Sequence, residues 1–522
     1  MRRIVYALVL ATLASGAYSQ STFANEKAIT PDRLKAHLEF IASDEMEGRD
    51  TPSRGLDIAT LYVATQLKLW GATPAGDNGT FFQKVTINQR SVDEEKSSIE
   101  FAGTAYKFGE GFKSTSKGAT ATGRLVYAGH GYIFKKRGIN PYVGLDVKGK
   151  ILVVASGLPK GATYQDFQGA EGTDYVWPEL AARNLGALGV LTIPDADYLS
   201  SWNQTAGRKM GDAGPSDGND PNDGISNTFV GPSLARAIFE GESVSAAEAL
   251  SGENAPEKGF IFAKTKSIKI NVSEVVQAKS ARNVVAIVPG SDPKLKSEFV
   301  AFGAHIDHVG MAPSGTGDRI YNGADDDGSG TVSILEIAHA YLTGARPKRS
   351  CLFVWHIGEE KGLWGSAFFT DHPTVDLKNV ITQLNIDMIG RSKVPGDTKP
   401  ANAVLTGPSE IYVVGSTKMS TDLQKASEKV NNDFLKIKFN YKYDDPKDPE
   451  QIFYRSDHFN YARKGIPIIF YFDGVHEDYH QVGDEVSKID FLKMSRVAQT
   501  VYATGWTLAN SEKRPVVDKP LK

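Results

Sequence analysis

FVAFGAHID, Phe299 to Asp307, decides how the rest of the chain is read. Six apolar or small residues run without a polar interruption and then deliver a histidine and an aspartate. A run that is apolar on both faces suits a strand buried on both sides, as in a parallel sheet covered by helices. VVAIV (284–288), CLFVWH (351–356), VITQLNI (380–386) and IPIIFYF (466–472) repeat the pattern, with helical patterns between them. From about Asn283 onward the expected class is therefore α/β, a mostly parallel mixed sheet with helices on both faces. In open sheets of this kind ligands sit beyond the carboxyl ends of the strands.

The runs all end on similar chemistry. FVAFGA leads into His305 and Asp307, CLFVWH into Glu359 and Glu360, VITQLNI into Asp387, and IPIIFYF after a short loop into Tyr479 and His480. One buried histidine or strand-end aspartate is ordinarily a hydrogen-bonded core or capping group. Four such ends on one rim, with the triplet Asp325-Asp326-Asp327 in NGADDDGSG (322–330), argue for a metal site instead. Imidazoles mixed with carboxylates suit zinc or a related transition ion, whereas calcium takes only oxygen. Two histidines and three or four acids exceed what one tetrahedral ion uses, but they fit two ions about 3.5–4 Å apart that share a carboxylate.

Calcium has a local case of its own. Asp325, Asp327, Ser329, Gly330 and Glu336 fall on EF-hand positions 1, 3, 5, 6 and 12. The preceding PSGTGDRIYNGA, however, cannot form the entering helix that motif requires. Two further near-matches fail similarly. Gly214–Gly218 fits G-x-S-x-G but lies in GDAGPSDGNDPNDG (211–224), which reads as loop, and His356–Glu360 resembles H-x-x-E-H but has Glu at the second His and ends a strand.

The remaining bounds are broad. With 522 residues the chain exceeds one ordinary core, and a formal net charge of -3 offers no basic field for nucleic acid. Met1-Arg2-Arg3, the apolar run Ile4 to Ala14 and a small-x-small site ending at Ser19 or Ala24 read as a signal peptide, too short to span a bilayer. The expected localisation is thus export, periplasmic or secreted, with no membrane span after cleavage. Cys351 is the only cysteine, so no intramolecular disulfide is available. Helices are expected from Pro31, capped by Thr30, and over Gly55–Trp70. GRLVYAG (123–129), GKILVVAS (149–156), a helix from Pro178 to about Leu188 and the strand VLTI suggest a small α/β unit of its own.

AHIDH, GADDDGSG, GEEKGLWGS, NIDMIGR, YRSDHF and DYHQVGDE, in that order, resemble the successive motifs of the M28 family of zinc peptidases. EMEGRDTPSRG resembles the family's N-terminal signature, and the middle unit resembles the protease-associated (PA) domain inserted in many members. The resemblance implies a zinc exopeptidase fold divided into a signal peptide (1–19), an N-terminal peptidase part (20–117), a PA insert (118–266) and a metal-binding part (267–522). It implies two zinc ions, one held by His305 and Asp387, the other by Glu360 and His480, with Asp326 bridging. Asp307 would orient His305, Glu359 would be the general base, and the Asp326–Asp327 peptide bond would be cis. Tyr479, beside a ligand, is either a donor to the oxyanion or a packed aromatic. The implied activity is removal of N-terminal amino acids from peptides. The alternatives are a carboxypeptidase or dipeptidase of the same family, with Arg391 and Arg455 as the nearest cations for a substrate carboxylate, and a non-enzymatic calcium-binding exported protein.

Overall fold

The structure is a computed structural model that describes residues 23–114, 118–167, 170–195, 198–199, 202, 211–216 and 227–521. The expected signal peptide lies outside the described residues. The chain forms two compact units, one from Met1–Val85 with Ser280–Lys522, the other Thr86–Lys279.

Seven consecutive neighbours form the main run of the first unit's sheet: β1 (Glu274–Val288, from Ser280 onward in this unit), β2 (Phe299–His305), β3 (Ser350–His356), β4 (Val380–Ile386), β5 (Glu410–Val414), β6 (Lys438–Asn440) and β7 (Ile468–Phe472). They lie in the order β1-β3-β2-β4-β7-β5-β6. The four central strands are mutually parallel, β1 is antiparallel to β3, and β5 is antiparallel to β7. Every residue of β3 and β4 is buried, which is why their sequences show no polar alternation. Side-chain alternation divides their residues between two helical layers. Phe302 and Phe353 stack on each other and meet Tyr341 of helix α3 (Gly330–Thr343), itself packed on Tyr502 of the C-terminal helix Phe491–Asn510. Leu352 and Val354 pack in the opposite core with Phe369 and Tyr461, which lie on helices Trp364–Asp371 and His458–Ala462.

Helix α1 (Pro31–Ile41) starts where Thr30 Oγ1 accepts the Arg33 N–H at 3.3 Å, and it buries Leu34, Leu38 and Ile41. Helix α2 (Arg54–Leu69) is capped in the same way by Ser53. Between them the EMEGRD segment folds into a tight turn rather than a long loop.

The second unit has its own apolar core, with Ile151, Val153, Leu191, Ile193 and Leu234 fully buried. Strands 119–127, 151–155, 189–193 and 227–230 are parallel neighbours. The unit is wider than the expected 118–266, because strands 98–101 and 104–107 extend the sheet beyond strand 267–272, and 112–114 pairs with 227–230. Two local expectations are corrected. The helix from Pro178 ends at Asn184, stopped by Gly186 at φ +73°. Gly211–Pro215 is a strand, antiparallel to Ile87–Ser91, at the edge of its sheet. An edge pairing asks only for main-chain groups, which a Gly- and Asp-rich stretch retains, and its proline stands at the last position.

Candidate metal centre

Parallel strands release their last side chains at one rim, and here β2 releases His305, β3 the turn carrying Glu359 and Glu360, and β4 Asp387. The aspartate triplet occupies an irregular turn, Ala324–Ser329, just before α3, with a cis bond between Asp326 and Asp327. The three carboxylates do different work. Asp327 accepts backbone N–H groups from His305 (3.1 Å), Gly330 (2.8 Å) and Met388 (3.2 Å), tying together the segments that carry His305, Asp326 and Asp387. A side chain at Gly330 would begin 2.3 Å from Asp327 Oδ1, so this position needs glycine. Asp325 accepts the Gly390 N–H at 2.6 Å, and its other oxygen lies 3.2 Å from His476 Nε2. Asp326 alone turns toward the rim.

Asp326 divides the cluster in two. His305 Nε2 lies 3.2 Å from Asp326 Oδ1 and 3.5 Å from Asp387 Oδ1. His480 Nε2 lies 3.2 Å from Asp326 Oδ2 and 2.8 Å from Glu360 Oε2. Asp326 Oδ2 and both imidazole Nε2 atoms are buried without a hydrogen-bond partner. Leaving such groups unsatisfied is costly, and a cation among them removes that cost. The spacing fits as well, since two donors 2.0–2.2 Å from one tetrahedral ion stand roughly 3.3 Å apart.

Electrostatics point the same way. Burial alone would push His305 down, yet Asp387 and Glu359 together hold it well above its ordinary value. Burial likewise opposes the charged form of His480, but Asp326 and Glu360 raise it to about 10. Burial would raise Asp326, but the adjoining imidazoles of His305 and His480 hold it well below the usual carboxylate range. The cluster gathers more negative charge than its own side chains neutralise, which favours a cation among them.

Glu359 Oε2 is 3.9 Å from His305 Nε2, and burial pushes its carboxyl well above the usual range. Asp307 accepts from Thr51 Oγ1 (3.0 Å) and the Glu359 N–H (3.3 Å). His305 Nδ1 lies 3.2 Å from the Asp307 carbonyl and 3.7 Å from its carboxylate, so the backbone of Asp307 is the nearer group. Tyr479 stacks on His480 with ring centres 4.0 Å apart. It borders a cavity that also touches Asp326, Glu359 and Asp387, with Met388, Ile452, Phe470, Phe472 and Val475 as an apolar wall and Arg455 in its lining. All eight residues singled out in the sequence meet here.

The EF-hand set does not converge. Glu336 is buried in a salt bridge with Arg33 and beside His37, at 2.6 and 2.9 Å, and Asp327 is spent on backbone. Two residues of the site were not foreseen. Buried Arg49 donates to the carbonyls of Ile41, Ile306, Asn322 and Gly323, at 2.7–3.0 Å, clasping the segments of His305 and Asp326. His308, the second histidine of AHIDH, places Nδ1 2.6 Å from Glu360 Oε1. The one sequence signal for it was its place three residues past His305.

Residues 283–505 match the family model described as Peptidase family M28. Among curated proteins, the chain is similar to a probable leucine aminopeptidase of Trichophyton verrucosum (strain HKI 0517), 30% identical over 237 residues, covering 44% of this chain and 57% of that protein. It is also similar to leucine aminopeptidase 2 of Trichophyton equinum, 26% identical over 299 residues, covering 52% and 54%. The chain thus spans about half the length of the curated relatives it matches. An aminopeptidase from Aneurinibacillus sp. strain AM-1 shares the fold, with TM-score 0.52 and 17% identity over 95% of this chain and 96% of that one.

Proposed function

Because residues 283–505 match the model of peptidase family M28, we propose that the chain is an exported aminopeptidase that works with a pair of zinc ions. The observation that carries this reading is the division of donors about Asp326, one oxygen facing His305 and the Asp387 side, the other facing His480 and Glu360. His305 and Asp387 would hold one ion, Glu360 and His480 the other, and Asp326 would join them.

When bound, zinc lowers the pKa of water toward ~7 and polarises a carbonyl oxygen. The protein supplies the proton transfers. In the turn after β3, Glu359 approaches His305 at 3.9 Å and Glu360 approaches His480 at 2.8 Å, so Glu360 would hold metal and Glu359 would be left for a reacting water. Glu359 takes the water proton and returns it to the departing amine. Tyr479 keeps its phenolic proton, since burial and the nearby Asp326 and Glu360 push its ionisation upward, and it is placed to donate to the developing oxyanion.

The carboxylate-rich rim attracts a substrate ammonium. Arg391 is not available to a substrate carboxylate, being buried with Nη2 2.8 Å from Asp478. Arg455 lines the cavity and keeps the carboxypeptidase reading as the second one. The test uses an aminoacyl anilide, its N-acetylated twin and an N-blocked dipeptide with a free C-terminus. The unblocked anilide should be cut, the acetylated one spared, and a chelator should abolish turnover until zinc is returned. Cleavage of the blocked dipeptide alone would move the assignment to a carboxypeptidase, and full turnover by metal-free protein would end the metal reading. Among the described residues no helix is long and apolar enough to cross a membrane.

A further inference from the structure

His308 has no part in the scheme above, although it is fully buried beside two of its members. Its Nδ1 lies 2.6 Å from Glu360 Oε1 and 3.8 Å from Asp326 Oδ2, and its ring meets that of His480 edge-on, with centres 5.6 Å apart. Two roles are open to a histidine so placed: ligand, or holder of a ligand. His308 Nδ1 meets Glu360 Oε1 with the geometry and length of a short charge-assisted hydrogen bond, whereas His480 Nε2, 2.8 Å from Oε2, is left without a hydrogen-bond partner, so His308 is read as the holder. An ionised carboxylate can only accept, so Nδ1 carries the hydrogen.

The bond has a consequence for Glu360. With Oε1 engaged by His308, Oε2 is the oxygen left to face His480, at 2.8 Å. The ring itself is fixed from two sides. Its backbone N–H donates to the Arg49 carbonyl at 3.3 Å. Gly323, at φ +57°, opens the aspartate turn, and a Cβ there would sit 2.5 Å from His308 Cγ and Cδ2. The turn that carries Asp326 therefore leaves the space that the imidazole fills.

We propose that His308 is a positioning residue that restricts Glu360 to a single-oxygen ligand and so sets the affinity of the Glu360–His480 metal position. The proposal rests on the two-metal reading. Groups that orient a metal ligand typically change metal affinity by about 10- to 100-fold when removed. Asparagine at 308 returns an N–H donor two bonds from Cβ, where Nδ1 stands. Glutamine matches the volume better but reaches toward the Nε2 position. A packing role therefore favours glutamine, and the hydrogen bond favours asparagine.

The experiment dialyses the full chain, wild type and His308→Asn, His308→Gln and His308→Ala, against buffered free zinc, with zinc per chain measured by elemental analysis. Thermal melts of the metal-free proteins check folding. Wild type and His308→Asn should both take up two zincs with affinities within about threefold of each other. His308→Gln and His308→Ala should bind the first zinc normally and the second about 10- to 100-fold more weakly. Retention of the second zinc by glutamine but not asparagine, wild-type affinity in the alanine variant, or equal loss of both zincs in all three would each overturn the proposal. A wild-type protein that takes up a single zinc would instead fail the two-metal reading, and the proposal with it.

Discussion

Both units end parallel strands on polar residues, but they spend those residues differently. In the unit 86–279, the strands lead to His130, Ser156 and Asp195. Buried His130 donates from Nε2 to the Gly252 carbonyl at 3.0 Å and has Glu257 3.1 Å from Nδ1, while Ser156 donates to Asp195 at 3.2 Å. Polar groups there serve local structure. In the other unit the strand ends converge with polar atoms left over, and among the described residues every set of side chains able to hold a metal lies in that unit. His130 Nδ1 too is left without a hydrogen-bond partner, but it stands alone with Glu257, so the same strand architecture yields a site only where several unspent groups converge. Burial of a histidine alone does not distinguish the two.

The largest effect that would test this contrast is at Glu359. Glu359→Gln should lower kcat by roughly 10²- to 10⁴-fold with zinc content unchanged, the usual scale for a lost general acid-base group. If it loses metal while Glu360→Gln retains it, the two roles are exchanged.

A buried histidine near the site but outside the cluster should report stability instead. His458 donates from Nε2 to the Phe453 carbonyl at 2.8 Å, stacks on Phe470, and is lowered by burial to about 4. The unfolded chain takes up this proton below about pH 6.5 and the folded chain only below about pH 4. Its contribution is therefore complete above pH 6.5 and is lost as pH falls toward 4, about 3 kcal/mol in all. Urea midpoints of His458→Gln should fall less between pH 7.5 and 5 than those of wild type; identical slopes would refute the assignment.

His130→Leu should cost about 1–3 kcal/mol in the unit 86–279 and leave zinc content and turnover per folded molecule intact. A loss of zinc there would dissolve the contrast between the units. The smallest effect is expected at Cys351, whose thiol is fully buried and held protonated by that burial. A thiol reagent should not modify it until the protein is denatured, and modification of native protein would show that the sheet opens at β3.

Much of the first unit was legible because strands buried on both faces must be written as unbroken apolar runs. FVAFGA, CLFVWH and VITQLNI became β2, β3 and β4 nearly residue for residue. The acids and histidines were legible because they come directly after those runs. Gly211–Pro215 was hidden because an edge pairing leaves no signature in side chains. Strands 98–101 and 104–107 form a short hairpin, and only 98–101 joins it to the sheet, through 267–272 far along the chain, so no local pattern assigned them to the second unit. Arg49 and His308 were missed for a different reason. Each acts on a group brought close only by the fold, Arg49 on carbonyls up to 274 residues away and His308 on a carboxylate 52 residues on.

Arg49 also fixes an order of events during synthesis. The guanidinium leaves the ribosome more than 250 residues before the Ile306, Asn322 and Gly323 carbonyls that it gathers. The aspartate turn must then wait again, because Asp484 receives the N–H groups of Asp325 and Asp326 at 3.0–3.1 Å. A nascent chain can hold most of its sheet and still lack the last clamp on the turn that carries Asp326. On the two-metal reading proposed above, neither metal position could be complete until Asp484 has been made.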